Sequence, residues 1–445
     1  MHTIYGLSFL YAALPVALAA FLLTPPVWRS GALLLLSLGY YLLAQPSMLL
    51  YTVSCIAIDW AALLVMERFD DTPPARRCCL AFSALKSAGV LVWFEVTLRE
   101  GRLPEAPLGL SVVAISGVWC VYEVYKRKAP YLETPVPLAL YCCFFPRLYS
   151  GPLMPYSEFA PQLETPSPSI KDLGKGAAIF IGGAVKTGIL SIELEALARS
   201  LRAVPEAEQS APVAWCAVIA IALGAFYRFS GYTDMARGVG RMMGLLIPES
   251  FYYPYQSAGV EDFFERFHSG AGRFFRAILP QNAARGREAL RVFLAGAGLG
   301  LFLGLRVNFL IWGLYLAFFA FLEGFVLKGA VKKIPTPFKR IYTFFIVMIS
   351  FAIFGTDSPG EAAALISDMF DLRGGWPLAA EDTGAGLPGY ILSSNWLLIV
   401  ISLLFATSVF SLLMRSLRSR LPKLAALVSA AVSLFLLFAL TAYSA

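Results

Sequence analysis

Apolar runs long enough to cross a bilayer recur from Tyr5 to Tyr443, and nothing else in the sequence constrains the fold as strongly. A spanning helix needs about 20 mostly apolar residues. Runs approaching that length lie at 5–23, 32–50, 51–66, 78–98, 107–125, 136–154, 176–194, 211–229, 290–305, 307–327, 341–355, 391–414 and 424–442. With 58% hydrophobic and 15% charged residues in 445, a water-soluble globule is excluded. The expected fold is all-α: a polytopic integral membrane protein with roughly ten to twelve transmembrane helices around a central funnel and amphipathic helices at the interface. One domain over 1–445 replaces the roughly three soluble domains that length alone would suggest. Met1-His2-Thr3 brings no basic n-region, and no small-residue cleavage site follows the first run, which reads as a retained span.

Two runs resist a simple crossing. The stretch 136–154 contains Pro146, Pro152 and Arg147, and 290–305 is short, with Gly296, Gly298 and Gly300. Irregular backbone at membrane depth persists only where protein or a wet cavity satisfies it, so both suggest re-entrant elements or a funnel wall. Between 229 and 289 the chain is less apolar. There Phe263, Phe264, Phe267, Phe274 and Phe275 alternate with Glu261, Asp262, Glu265, Arg266, Arg273 and Arg276, predicting one or two amphipathic interfacial helices. A second such helix is expected at 358–371, opened by Ser358-Pro359 with Glu361 in capping position.

The net charge of +7 is what basic cytoplasmic loops give a membrane protein, and no nucleic-acid signal accompanies it. Lys328, Lys332, Lys333, Lys339 and Arg340, then Arg415, Arg418, Arg420 and Lys423, mark two cytoplasmic loops. The stretch 356–390 between them, with only Arg373, is assigned to the exterior; Lys126-Arg127-Lys128 is a further cytoplasmic marker. The seven cysteines lack disulfide or zinc spacing and read as small packing residues. Only His2 and His268 could offer imidazole, so no metal site is expected.

His268 has two readings: a histidine that caps backbone, as a lone one on an aromatic helix usually does, or a functional group, since several arginines and acids share its segment. Asp234, Arg237 and Arg241 fall on one helical face at i, i+3 and i+7, either as a salt-bridged helix end or as the polar wall of a tunnel.

At these residues the chain resembles a family. Phe144-Phe145-Pro146-Arg147-Leu148-Tyr149-Ser150-Gly151-Pro152-Leu153, continuing through Tyr156-Ser157-Glu158-Phe159-Ala160-Pro161-Gln162-Leu163, is similar to a signature of the membrane-bound O-acyltransferases, in the alginate O-acetylation and D-alanyl-lipoteichoic acid transfer branch. Leu108-Gly109-Leu110-Ser111 with Tyr122-Glu123-Val124-Tyr125, Phe229 to Gly244, Pro248 to Tyr255, Phe263 to Arg276 and Phe351 to Ser358 resemble further motifs of that branch, in order. The resemblance makes 108–371 the motif-bearing core and leaves 1–107 and 391–445 as peripheral transmembrane helices.

The resemblance implies a tunnel across the membrane through which an acyl group, acetyl by that branch, passes from a cytoplasmic thioester to a hydroxyl of a cell-envelope polysaccharide or partner protein. Such chemistry needs a base for the hydroxyl and a donor for the developing oxyanion. The family supplies two histidines. One corresponds to His268; the other, usually assigned as the base, falls on Leu303 when Gly300 to Gly313 is set against the family's "GLWHG" element. Arg228, Ala277 and Gln281-Asn282-Ala283 also depart from the branch pattern. The candidate catalytic residue is therefore His268, with Leu303 at the place of the missing histidine. Arg147, Gly151, Pro152, Tyr232, Asp234, Arg237, Arg266, Arg276 and Asn308 are the candidate tunnel residues. No bound cofactor is expected, only an acyl thioester donor on an unspecified carrier. Expected partners are membrane lipids and an extracytoplasmic acyltransferase or polysaccharide-synthesis protein, with the bacterial inner (plasma) membrane as location. The alternative is an inactive family member, a pseudoenzyme serving as membrane scaffold or acyl- or lipid-binding partner. A secondary transporter fits the composition but not the motif order.

Overall fold

A computed structural model describes all residues except 1–5, 7, 103–107, 150, 165, 206–207, 280–284, 328–332, 372–385 and 445. His2, Ser150, Gln281-Asn282-Ala283, Lys328, Lys332 and Arg373 therefore lie outside the described residues. Among those described the chain is all-helical, apart from one isolated bridge between Phe251 and Phe267. The helices are α1 (Leu14–Leu23), α2 (Arg29–Ala44), α3 (Pro46–Arg68), α4 (Pro73–Arg99), α5 (Leu110–Tyr125), α6 (Val136–Cys143), α7 (Tyr156–Glu164), α8 (Ile170–Val185), α9 (Ser191–Arg202) and α10 (Ala211–Met242). They continue as α11 (Val260–Arg266), α12 (Ser269–Ile278), α13 (Arg285–Leu303), α14 (Val307–Phe321), α15 (Thr336–Phe354), α16 (Pro359–Met369), α17 (Leu387–Ser394), α18 (Trp396–Ala406), α19 (Val409–Arg420) and α20 (Pro422–Ser444).

Among the described residues, seven helices are long and apolar enough to span a bilayer, eight if the pair α17–α18, bent by 57°, counts as one. Four shorter apolar helices accompany them: Phe9–Leu23, Leu110–Tyr125, Val136–Arg147 and Ala430–Tyr443. The expected ten to twelve crossings thus exceed the number of long helices. Large apolar side chains such as Leu43, Leu50, Leu85 and Phe438 stand exposed, as lipid-facing residues do. The protein is an integral membrane protein.

Contacts divide the chain into two compact units. One comprises residues up to Gly183 with Tyr232–Ser250; the other comprises Ala184–Gly231 and Phe251–Tyr443. In the first, α3, α4 and α5 pack around an ion pair at span depth. Lys86 Nζ reaches Asp59 Oδ2 at 2.6 Å, and Ser83 Oγ donates to Asp59 Oδ1 at 2.6 Å. Gly117 on α5 makes room for that carboxylate, since a Cβ there would stand 2.1 Å from Asp59 Oδ2. In the second unit, α13 and α14 form a tight antiparallel pair. A Cβ on Gly296 would lie 2.4 Å from the Gly313 carbonyl oxygen, and one on Gly300 2.2 Å from that of Phe309. Small residues bring helix backbones together where lipid gives no hydrophobic drive.

Four sequence boundaries move. The runs 32–50 and 51–66 divide at Gln45-Pro46, because the residue before proline leaves the helical region and Pro46 then starts α3. The run 211–229 belongs to one 32-residue helix ending at Met242, so the Asp234 motif is helix interior. The 290–305 run lies in regular α13 rather than in irregular backbone, its glycines serving close packing. The single crossing at 391–414 is interrupted at Asn395 and again at Thr407-Ser408. By contrast, 136–154 is broken as its prolines required: α6 stops at Cys143, Phe145–Arg147 forms one 3-10 turn, and irregular chain follows to Pro155. α16 starts as expected, with Ser358 Oγ accepting from the Glu361 N–H at 3.2 Å. Among the cysteines Cys55, Cys79, Cys120, Cys142 and Cys143 are buried, Cys216 is half-buried and Cys78 is exposed; all seven are free thiols.

Candidate active site

The segment around His268 is two short helices joined by a sharp turn. α11 ends at Arg266, Phe267 is extended (φ −94°, ψ 106°), and His268 takes the left-handed conformation (φ 55°, ψ 58°) before α12 begins. Non-glycine residues pay strain there, so surrounding structure must hold the turn. It does so on both sides. Phe267 bridges to Phe251, and the Tyr252 N–H donates to the Arg266 carbonyl at 3.0 Å. Phe267 also lies 5.2 Å from Phe263, 5.8 Å from Trp312 and 6.0 Å from Phe351, between ring centroids.

His268 is fully buried and caps α12: its Nδ1 accepts from the Ala271 N–H at 3.4 Å. Its ring meets Phe302 edge-on at 4.9 Å and Phe251 at 5.5 Å. Phe302 immediately precedes Leu303, the half-buried last residue of α13. His268 thus packs against the residue that immediately precedes the Leu303 position, within the second unit.

In the first turn of α14, Asn308 is buried. Its Nδ2 donates to the Thr356 carbonyl at 2.7 Å and to Thr356 Oγ1 at 3.1 Å, while its Oδ1 has no partner among the described residues. Trp312 Nε1, four residues on and on the same helix face, is likewise buried without an acceptor. Buried orphan polar atoms are rare, and each calls for a water, an ion or a ligand. Arg266 pairs with Asp262 at 2.6 Å and Arg276 with Glu265 at 3.3 Å, both partly exposed.

The other candidate residues lie in the first unit. Arg147 is 1% exposed, and no carboxylate neutralises it among the described residues. Its Nε donates to the Pro152 carbonyl at 2.8 Å, Nη1 to the Tyr141 carbonyl at 3.2 Å and Nη2 to Ser116 Oγ at 3.3 Å. The guanidinium also rests 5.1 Å from the Tyr141 ring and 5.3 Å from that of Phe159. It thereby pins the irregular segment through Gly151 (φ 85°) and Pro152. Tyr232 stacks on Tyr149 at 5.3 Å and 13°. Asp234 and Arg237 pair at 3.5 Å as the spacing required, Arg237 also meets Glu249 at 3.5 Å, and Arg241 turns instead to Asp172 at 3.2 Å.

Sequence reasoning missed Asp59 and Lys86, although each is a charge inside an apolar run and such charges are signals in their own right. It also missed Glu123, whose carboxylate takes the Ser157 N–H at 2.8 Å at the start of α7. Arg228, one departure from the branch pattern, is ion-paired with Glu195 on α9, so that departure is built into the packing.

No family model matches the chain. It is 25% identical over 94% of its length to a probable alginate O-acetylase AlgI of Pseudomonas aeruginosa, covering 84% of that protein. It is 23% identical over 82% of its length to a peptidoglycan O-acetyltransferase of Helicobacter pylori, covering 79% of it. A teichoic acid D-alanyltransferase of Bacillus subtilis is 26% identical over 55% of the chain and 65% of its own length. Similarity on that scale, together with the ordered motifs and the helical membrane architecture, agrees with the resemblance to the membrane-bound O-acyltransferases.

Proposed function

We propose that this protein moves an acyl group, acetyl by the majority of its named relatives, from a thioester to a hydroxyl of a cell-envelope glycan or of a partner protein. A bacterial plasma membrane is the setting this reading requires. The observation that carries it is the near-complete coverage by relatives named as a probable O-acetylase and an O-acetyltransferase. Two of the three are named transferases and the third a probable O-acetylase, so the silent-scaffold alternative draws no support from them. In the reaction the hydroxyl oxygen forms a bond to the acyl carbon, the carbon–sulfur bond breaks, and the hydroxyl proton passes to the departing thiolate.

The geometry alters the role proposed for His268. A neutral imidazole that accepts at Nδ1 carries its proton on Nε2, so it offers a donor rather than a second lone pair. His268 is therefore read as stabilising the negative oxygen that develops on the acyl carbon. Leu303 accepts no proton, and Asn308 Oδ1 with Trp312 Nε1 supplies an acceptor and a donor suited to a hydroxyl. The proton is then taken by the leaving thiolate or by a group of the partner. The motif core 108–371 within a single family domain belongs to the same proposal.

The test is deletion of the gene in its host, followed by measurement of ester-linked acyl groups on extracted envelope glycans and proteins. Acyl content should fall and return with the wild-type copy. Unchanged acylation in a strain that carries no second relative would refute the reading.

A further inference from the structure

A cavity of about 550 Å³ opens in the second unit, walled by α11, α12, α13 and the π-turn Leu322–Val326. Its size falls within the ordinary range for a small-molecule site. Among the described residues four charged side chains line it: Arg276 and Arg291, Glu261 and Glu288. Arg276 already holds Glu265, but Arg291, half-buried on α13, has no ion pair or hydrogen bond among the described residues. Phe264 and Phe275 add aromatic rings to the lining. The mouth is apolar and open at Val326, which is 61% exposed and lines the cavity beside Phe325 and Val292. On a spanning protein, an exposed apolar side chain at the mouth of a charged recess gives an acyl chain a place next to a headgroup site.

We propose that this cavity holds one phospholipid with a zwitterionic headgroup. The phosphate sits on Arg291 and Arg276, the ammonium faces Glu288 and Glu261, and an acyl chain runs over Phe264 and Phe275 to the apolar mouth. Two cations and two carboxylates complement a headgroup carrying both signs, whereas a purely anionic headgroup would meet the glutamates unfavourably. A soluble phosphate ester would gain nothing from the apolar mouth. The proposal does not rest on acyl transfer, so the two can fail separately.

Purified full-length protein would be titrated with phosphatidylethanolamine and with phosphatidylglycerol, and retained lipid counted by native mass spectrometry. One phosphatidylethanolamine should be retained in preference to phosphatidylglycerol. Arg291→Glu should bind it at least about tenfold more weakly. Glu288→Lys should shift preference toward phosphatidylglycerol. Arg291→Gln replaces the charge reversal where that variant does not fold. Equal retention of the two lipids by wild type, retention unchanged in both variants, or displacement as efficient by free phosphoethanolamine would overturn the proposal. Displacement by an equal concentration of a phosphate-bearing acyl thioester would assign the cavity to the acyl donor and overturn it as well.

Discussion

Replacing Gly313 by alanine should be expensive out of proportion to one methyl group. A Cβ at that position would sit 2.1 Å from the Gly296 carbonyl oxygen and 2.8 Å from its carbon, both backbone atoms with no side-chain freedom to yield. Ordinary contact lies beyond about 3.4 Å, so α13 and α14 must part by roughly 1 Å, close to the gap at which a contact loses a quarter to a half of its dispersion energy. Overpacking of this kind costs about 1–3 kcal/mol. It should outweigh the up to about 1 kcal/mol that alanine gains over glycine in a helix. Gly89→Ala on α4 is the control, because nothing lies within 4 Å of its added methyl and only the propensity gain remains. The assay is thermal unfolding of both variants in one detergent. Gly313→Ala should melt below wild type and Gly89→Ala at or above it. If Gly313→Ala melts with Gly89→Ala, the close helix approach is wrong, and so is the regular α13 that brings Phe302 to His268.

Removing one partner of the Asp59–Lys86 pair, as in Asp59→Leu, should destabilise by about 3–5 kcal/mol by leaving a charge at span depth. Asp59→Leu/Lys86→Met should recover most of it; a thermal-unfolding cycle with no recovery would show that the pair is not coupled. Arg147→Lys keeps the charge but loses the planar fork that reaches Pro152, Tyr141 and Ser116, so it should lower the melting temperature measurably. A melting temperature equal to wild type would refute that role. In the connection between α3 and α4, the Tyr131 hydroxyl, helped by Arg127, holds the Asp70 carboxyl below its ordinary pKa. A lowered folded pKa gives stability that is present above about pH 3.9, the ordinary aspartate value, and lost as pH falls through the folded value. The melting-temperature gap between wild type and Tyr131→Phe should therefore be wider at pH 7 than at pH 3; a gap independent of pH would exclude the linkage.

The parts that were legible in the sequence are those where one residue's chemistry acts locally. Pro146 and Pro152 break a span wherever they stand, Ser358 with Glu361 makes its own cap, and Asp234 finds Arg237 one turn away. The parts that were not legible depend on what lies across a contact. Glycines at 296 and 300 read equally well as irregular backbone or as close packing until Gly313 and Phe309 are seen opposite them. Arg241 shares a helical face with Asp234 two turns away, too far to pair, and Asp172 on α8 takes it instead. Both readings of His268 were open in the sequence. The left-handed turn and the Ala271 N–H show that it caps α12, which decides which nitrogen carries the proton in the neutral ring without removing it from the site.

Acyl-ester formation by the purified protein in proteoliposomes tests the central claim most directly, with acetyl and D-alanyl thioesters outside and envelope glycan inside or the reverse, in wild type, His268→Gln and His268→Ala. The account predicts ester in wild type, a partial rate in His268→Gln, which keeps an N–H donor, and a loss of about 100- to 1,000-fold in His268→Ala, as for removal of one oxyanion donor. Folded wild-type protein that forms no ester with either donor, or a His268→Ala rate equal to wild type, would contradict it.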